Sequence, residues 1–437
     1  MLGLPTTANA PFCPSEVRGT VAVPIDATAW RKLLRFAGPG LLVSVGYMDP
    51  GNWATDIEAG SRFGYSLLFV VVLSSLSGIL LQTLCARLGI AAERDLARLC
   101  REQYRRPIAI ALWLLAELAI VATDVAEVLG SALALKLLFG LPLWLGALVT
   151  ALDTLIVLFL NGHGFRQLEA IVLGLVATIA LCFAFELATL RPDPGAVAQG
   201  LLPSLQVMSN PEALYLAVGI IGATVMPHNL YLHSSIVQTR LVARGPVAKR
   251  QAIGMATLDI AGALFVAMFV NAAILVTAAT AFHETGLAAV TDIDEAYRFL
   301  QPIAGPAAAI VFGVALLASG QSSTVTGTIA GQTILEGFLK LQIPCWQRRL
   351  ITRALALWPA LVGILWLGDG SVGSLLVLSQ VVLTAQLPFA LYPLIRFTSD
   401  RRLMGDFASA PALRTTAWLI FGAITAANIW LVWGLAG

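Results

Sequence analysis

The stretch VSVGYMDPGNWATDIEAG, Val43 to Gly60, sets Asp49 and Asn52 around Pro50 and Gly51 inside a run otherwise fit for hydrocarbon. A second stretch, GIIGATVMPHNLYLHSS, places Met226, Pro227, His228 and Asn229 in the same kind of setting. A carboxylate and an amide oxygen, joined by backbone carbonyls near Ala223, are hard donors of the kind Mg²⁺ and Ca²⁺ take. The Met226 thioether is soft and uncharged; it adds little for those ions but suits Mn²⁺, Fe²⁺, Co²⁺ and Cd²⁺. A lone methionine in an apolar helix is ordinarily packing material, and what singles out Met226 is its place beside Pro227. An aspartate deep in a membrane costs several kcal/mol unless it is paired or ion-bound. No Lys or Arg lies at comparable depth in any apolar run, so a mobile cation is the natural partner for Asp49.

The elements that must hold these residues follow from composition. The 437-residue chain is 58% hydrophobic and 12% charged, with a mean hydropathy of +0.83, which is the profile of an integral membrane protein. Apolar runs of about 20 residues argue for helices rather than a barrel. Punctuation by Gly, Pro and charge predicts eleven spans, at about 36–60, 65–89, 108–139, 142–161, 168–190, 212–240, 252–282, 304–338, 349–367, 373–396 and 414–435. Residues 1–35 read as a cytoplasmic tail without a cleavable signal. With that end inside, 23 of the 27 basic residues fall in cytoplasmic segments, and an odd number of spans puts the C-terminus outside. The five scattered cysteines form no framework, and no basic patch suggests nucleic acid.

Shifting the first half by 177 residues lays Asp49-Pro50-Gly51-Asn52 on Met226-Pro227-His228-Asn229 and Asp56 on His233. Span 1 starts inside and span 6 outside, so residues 36–190 and 212–396 form a 5+5 inverted repeat, with 414–435 added. Proline removes an amide donor and clashes with the carbonyl four residues back, so each motif is expected to break its helix. Carbonyls freed at that depth need a protein-lined cavity, and matched interruptions in inverted halves mark a transporter's central site. Gly46, Gly51 and Gly222 are candidate hinges beside the breaks.

The pairing of DPGN in span 1 with MPHN in span 6, within eleven apolar spans, resembles the natural resistance-associated macrophage protein family of proton-coupled divalent-metal transporters. The resemblance runs from about Arg35 to the C-terminus. It implies an all-α, polytopic, LeuT-like fold with broken helices 1 and 6, and import of Mn²⁺ and Fe²⁺, with Cd²⁺ and Co²⁺ also accepted. It further implies a metal held by Asp49, Asn52, Met226 and the Ala223 carbonyl, with Gln380, in VLSQVVL, joining in some conformations. A magnesium-transporting relative lacks the methionine that this sequence keeps.

Glu117, Asp124 and Glu127 share one face of span 3, being seven and three residues apart. Acids in such a setting can hold or release a proton near neutral pH, as a relay requires, and His228 is the side chain type most easily switched there. The expected path runs from Asp49 through His228 to Glu127 and Asp124, ending near Arg348 and Arg349; the resemblance supports the Asp124 and Glu127 roles and a pairing with Arg349. How the line reaches Arg349 depends on helix tilt. Asp56, Glu58 and His233 are expected to shape the vestibules or stiffen the broken helices, while Asp153, Glu169, Glu186 and Asp259 carry no assignment. Neither H-E-x-x-H nor G-x-S-x-G occurs, so no enzyme and no resident cofactor is expected. The expectation is a multi-pass plasma-membrane importer working by alternating access and complete as a monomer. A Mg²⁺ transporter of the same architecture and a sodium-coupled amino-acid symporter are the alternatives, and a channel is disfavoured by the broken repeat.

Overall fold

Two helices stop and restart in the middle of the protein, and the rest of the fold is arranged around those two gaps. The computed structural model describes residues 17–23, 28–152, 164–204, 209–243, 245–287, 290, 292–341, 343–368, 370 and 372–436. The first broken helix consists of α1 (Pro39–Val45), a short 3₁₀ turn (Gly46–Met48) and α2 (Pro50–Phe63). Helices α3 (Leu68–Ala92), α4 (Arg106–Phe139) and α5 (Phe165–Leu190) follow. The second broken helix is α6 (Pro211–Thr224) and α7 (Pro227–Ile236). Then come α8 (Pro246–Ala278), α9 (Pro306–Leu339), α10 (Cys345–Leu367), α11 (Val372–Ser399) and α12 (Pro411–Ala436). Among the described residues, eight helices are long and apolar enough to cross a membrane. The expected fourth span begins as a helix, Leu143–Thr150, and its second half, with Asp153, lies outside the described residues.

The breaks fall on the first residue of each motif. Asp49 is extended (φ −73°, ψ 167°) and caps α2, its Oδ1 accepting from the Asn52 amide at 2.9 Å. Pro50, Gly51 and Asn52 are the first turn of α2 rather than unwound chain. Proline is at home there, since the first amide of a helix has no partner to lose. Met226 (φ −52°, ψ 124°) plays the same part before Pro227, with Val225 also outside the helical region.

The broken helices sit inside a cage. α2 packs on α6 and α8, α7 on α3 and α9, and α6 on α11, while the largest helix contact is α4 against α9. The outer surfaces of α5, α8 and α10 carry exposed Leu, Phe and Trp side chains such as Leu181, Phe265 and Trp366, as a lipid-facing shell does.

At the start of α1 the backbone is tied down from three sides. Arg240 donates to the carbonyls of Phe36 and Ala37, both at 2.7 Å, and pairs with Glu169 of α5 at 2.8 Å. Asp259 of α8 accepts from the Gly40 amide at 2.7 Å. Residues Val21–Ala22 (β1) run parallel to Arg240–Leu241 (β2) directly after α7. Glu169 and Asp259, which the sequence left unassigned, thus hold the start of the first broken helix.

Candidate metal-binding site

The carbonyls released at the first break are met by side chains one by one. Met48 accepts from Ser319 at 2.5 Å and Tyr47 from Asn271 at 2.7 Å. Gly46 accepts a long bond from Asn52 Nδ2 at 3.4 Å. The same Asn52 nitrogen donates to Asp49 Oδ1 at 2.6 Å and to the Ala223 carbonyl of the second break at 3.0 Å. Three oxygens from both broken helices therefore converge on one amide group, in the arrangement a cation would want. The Asn52 orientation is assigned from this hydrogen bonding, and rotation of the amide by half a turn presents its oxygen to the same space.

Asp49, Asn52, Ala223, Met226 and Gln380 are all buried. Asp49 Oδ2 and Gln380 Oε1 accept no hydrogen bond, and no Lys or Arg of the described residues pairs with Asp49. Buried acceptors without donors are the exception in proteins and call for a ligand or an ion. Gln380 lies against Gly51, where a Cβ would overlap its amide. Met226 packs on Ala119 of α4 and on Leu383, one turn along α11 from Gln380. The expected donor set is therefore gathered from α2, both sides of the second break, and α11. Among the described residues no three His, Cys, Asp or Glu side chains cluster as a conventional metal centre, so any ion here relies on a single carboxylate with neutral donors.

The candidate hinge glycines are positions of close approach. A Cβ at Gly46 would overlap the Asn229 amide, and one at Gly222 would overlap Thr384 Oγ1 and the Gln380 carbonyl. Asp56 is buried with Oδ2 unpartnered. His233 Nδ1 lies 3.1 Å from Gln82 Oε1, whose amide nitrogen donates to the Tyr47 hydroxyl at 3.1 Å.

Along α4 the acids meet arginines from the N-terminal end of α10. Arg349 Nη1 is 2.8 Å from Asp124 and its Nη2 3.5 Å from Glu127, all three fully buried. Glu127 also accepts from Ser323 at 3.0 Å and Thr324 at 3.1 Å. Arg353, one turn after Arg349, donates to Thr324 at 3.2 Å. Nearer the start of α4, Arg348 pairs with Glu117 at 2.9 Å. His228 Nδ1 stands 3.3 Å from Thr123 Oγ1, beside Asp124 rather than bonded to it. The tilt question thus has a geometric answer: α10 delivers Arg348 to Glu117 and Arg349 to Asp124.

Sequence reasoning missed Asn271, Ser319 and Arg353. A solitary polar residue in an apolar run, such as Asn271 in FVNAAIL, was the available signal.

A polytopic helical protein with two facing helix breaks and a buried, under-satisfied polar site between them falls in the class of inverted-repeat, LeuT-fold membrane transporters. The model of the family described as natural resistance-associated macrophage protein-like matches residues 40–434, and the chain belongs to that family. The divalent metal cation transporter MntH of Ralstonia nicotianae is 64% identical over 431 residues, covering 98% of each chain. MntH 1 of Pseudomonas aeruginosa is equally similar, at 64% with 98% of each chain covered. A crystal structure of a variant of the Eremococcus coleocola manganese transporter superposes with a TM-score of 0.90 at 38% identity, covering 96% of this chain and 90% of that one. A nucleobase-cation-symport-1 family transporter, 17% identical with a TM-score of 0.59 and 97% and 93% coverage, shares the fold.

Proposed function

We propose that this protein imports divalent transition-metal ions, Mn²⁺ foremost and Fe²⁺, Cd²⁺ and Co²⁺ with it, across the plasma membrane in symport with protons. The observation that carries the reading is the Asp49 site: a buried carboxylate with a free oxygen, no fixed cation, and neutral donors from both broken helices around it. The names of the relatives and of the matched structure support divalent-metal transport.

In this mechanism the metal sheds most of its water and replaces the Asn52 amide group among the oxygens of Asp49 and Ala223. Asn52 turns its own oxygen inward, and Met226 and Gln380 complete the set. A thioether in that set favours Mn²⁺ over Ca²⁺ and Mg²⁺, whose hydration a soft donor cannot replace. The proton leaves by His228, Glu127 and Asp124, where Arg349 balances charge as the acids exchange protons. Opening inward requires release of the inner end of α1 from Glu169, Arg240 and Asp259. With the N-terminus cytoplasmic, a negative interior drives a divalent ion inward by about 2.3 kcal/mol per charge per 100 mV. One chain holds both repeats, so a monomer suffices.

The test is uptake of Mn²⁺, Cd²⁺, Mg²⁺ and Ca²⁺ into proteoliposomes with internal pH monitored, for the wild type and Met226→Ala. Wild-type protein should take up Mn²⁺ and Cd²⁺ and acidify the lumen, whereas the variant should lose Cd²⁺ preference and admit Ca²⁺ or Mg²⁺. Wild-type uptake of Ca²⁺ at the Mn²⁺ rate would refute the selectivity argument, and preferred Mg²⁺ uptake would favour the magnesium alternative.

A further inference from the structure

Helix α12 lies outside the two repeats and contributes none of the candidate ligands, yet one of its side chains repairs a defect one turn from the site. Pro388 sits inside α11, so the helix lacks the amide that would bond the carbonyl of Thr384, four residues earlier. Asn428 of α12 supplies the missing donor: its Nδ2 bonds the Thr384 carbonyl at 2.8 Å in a buried setting. Thr384 is itself a junction. Its hydroxyl reaches the carbonyl of Gln380 at 2.9 Å and that of Val218, in α6, at 3.0 Å.

The turn from Gln380 to Thr384 is therefore clamped on three sides. Gln380 presses on Gly51 of α2, its carbonyl and the Thr384 hydroxyl press on Gly222 of α6, and Asn428 pins the far end from α12. Beside this clamp Leu431 of α12 packs with Val218 of α6 and Val381 of α11 in one small apolar cluster. A carbonyl left bare at this depth would seek another partner or let the helix bend further. Either outcome moves Gln380, because the freed group lies one turn away on the same helix.

We propose that Asn428 is a positioning residue for ion binding, holding the proline-interrupted turn of α11 so that the Gln380 amide stays over Gly51 at the first helix break. The inference rests on the reading of Gln380 as a metal ligand. It gives α12 a function that the inverted repeat alone does not require.

The test uses the full-length protein in proteoliposomes and reads the KM for Mn²⁺ uptake. Asn428→Ala should raise KM about tenfold, and Asn428→Leu, which keeps the branched shape but has no donor, should do the same. Combining Asn428→Ala with Pro388→Ala should bring KM within about threefold of Pro388→Ala alone, because the alanine restores the amide for the Thr384 carbonyl. A residue needed only for packing would show no such rescue. In a Gln380→Ala background, adding Asn428→Ala should leave KM unchanged. An unaltered KM in Asn428→Ala, or an undiminished tenfold effect in the Pro388→Ala background, would overturn the proposal. Should Pro388→Ala fail to fold, the Gln380→Ala cycle decides, and an undiminished effect there overturns it. If Gln380→Ala itself left KM unaltered, the ligand reading of Gln380 would fail, and the Pro388→Ala rescue would still judge the hydrogen bond.

Discussion

Replacing Arg349 by methionine removes a buried cation while keeping most of its volume, and the consequences can be worked from the distances. Arg349 faces Asp124 at 2.8 Å and Glu127 at 3.5 Å, and none of the three is exposed beyond 1%. Two unit charges ~4 Å apart attract by about 4 kcal/mol at an effective dielectric of about 20. Losing one member of a buried pair typically costs about 3–5 kcal/mol, because the other charge stays desolvated. Arg349→Met removes the cation that both acids face, and Asp124→Asn leaves Arg349 the longer 3.5 Å pair with Glu127, so each alone should unfold several degrees lower in detergent. The double variant Arg349→Met/Asp124→Asn removes one charge of each sign and leaves Glu127 with Arg353 nearby. It should recover at least half of the stability loss, which corresponds to a coupling of at least about 2 kcal/mol. Lumenal acidification during Mn²⁺ uptake should stay absent in all three variants, since the relay needs a titrating acid at position 124 and its counter-charge. A double variant no more stable than the weaker single one would refute the ion-pair reasoning. Unchanged acidification in Asp124→Asn would refute the relay.

Two further outcomes follow from the packing. Gly51→Ala drives a methyl group into the Gln380 amide, the far end of a flexible side chain that must swing aside, so Mn²⁺ uptake should fall at least about tenfold with little loss of stability; near wild-type uptake would mean that the placement of Gln380 over Gly51 does not matter for the ion. Glu169→Gln removes the counter-charge of buried Arg240 and loosens the start of α1, so a cysteine introduced at Val45 should react faster with a thiol reagent added from the side that the proposed topology makes cytoplasmic. An unaltered reaction rate would mean that this ion pair does not hold the inner side shut.

The two breaks were legible because proline stands beside a carboxylate, an imidazole or an amide in both apolar runs, and a single shift lays Pro50 on Pro227. The breaks fall on the first residue of each motif, Asp49 and Met226, with the proline starting the second segment. Most of the candidate site was named in advance. What escaped was set by helix tilt and rotation: that α10 turns Arg348 toward Glu117, that Asn271 and Ser319 point at the carbonyls of Tyr47 and Met48, and that Asn428 meets Thr384. The tie of Arg240 to Glu169 was equally hidden, because spacing along the chain carries no information about which surface charges fold inward together.

Crystals grown with Mn²⁺ and measured for anomalous scattering at its absorption edge ask most directly whether the two breaks enclose the transported ion. A single strong peak should lie among Asp49 Oδ2, the Asn52 side-chain oxygen, the Ala223 carbonyl and the Met226 sulfur, and should vanish in Asp49→Ala. A peak elsewhere, or one that survives Asp49→Ala in place, would contradict a metal site at the helix breaks.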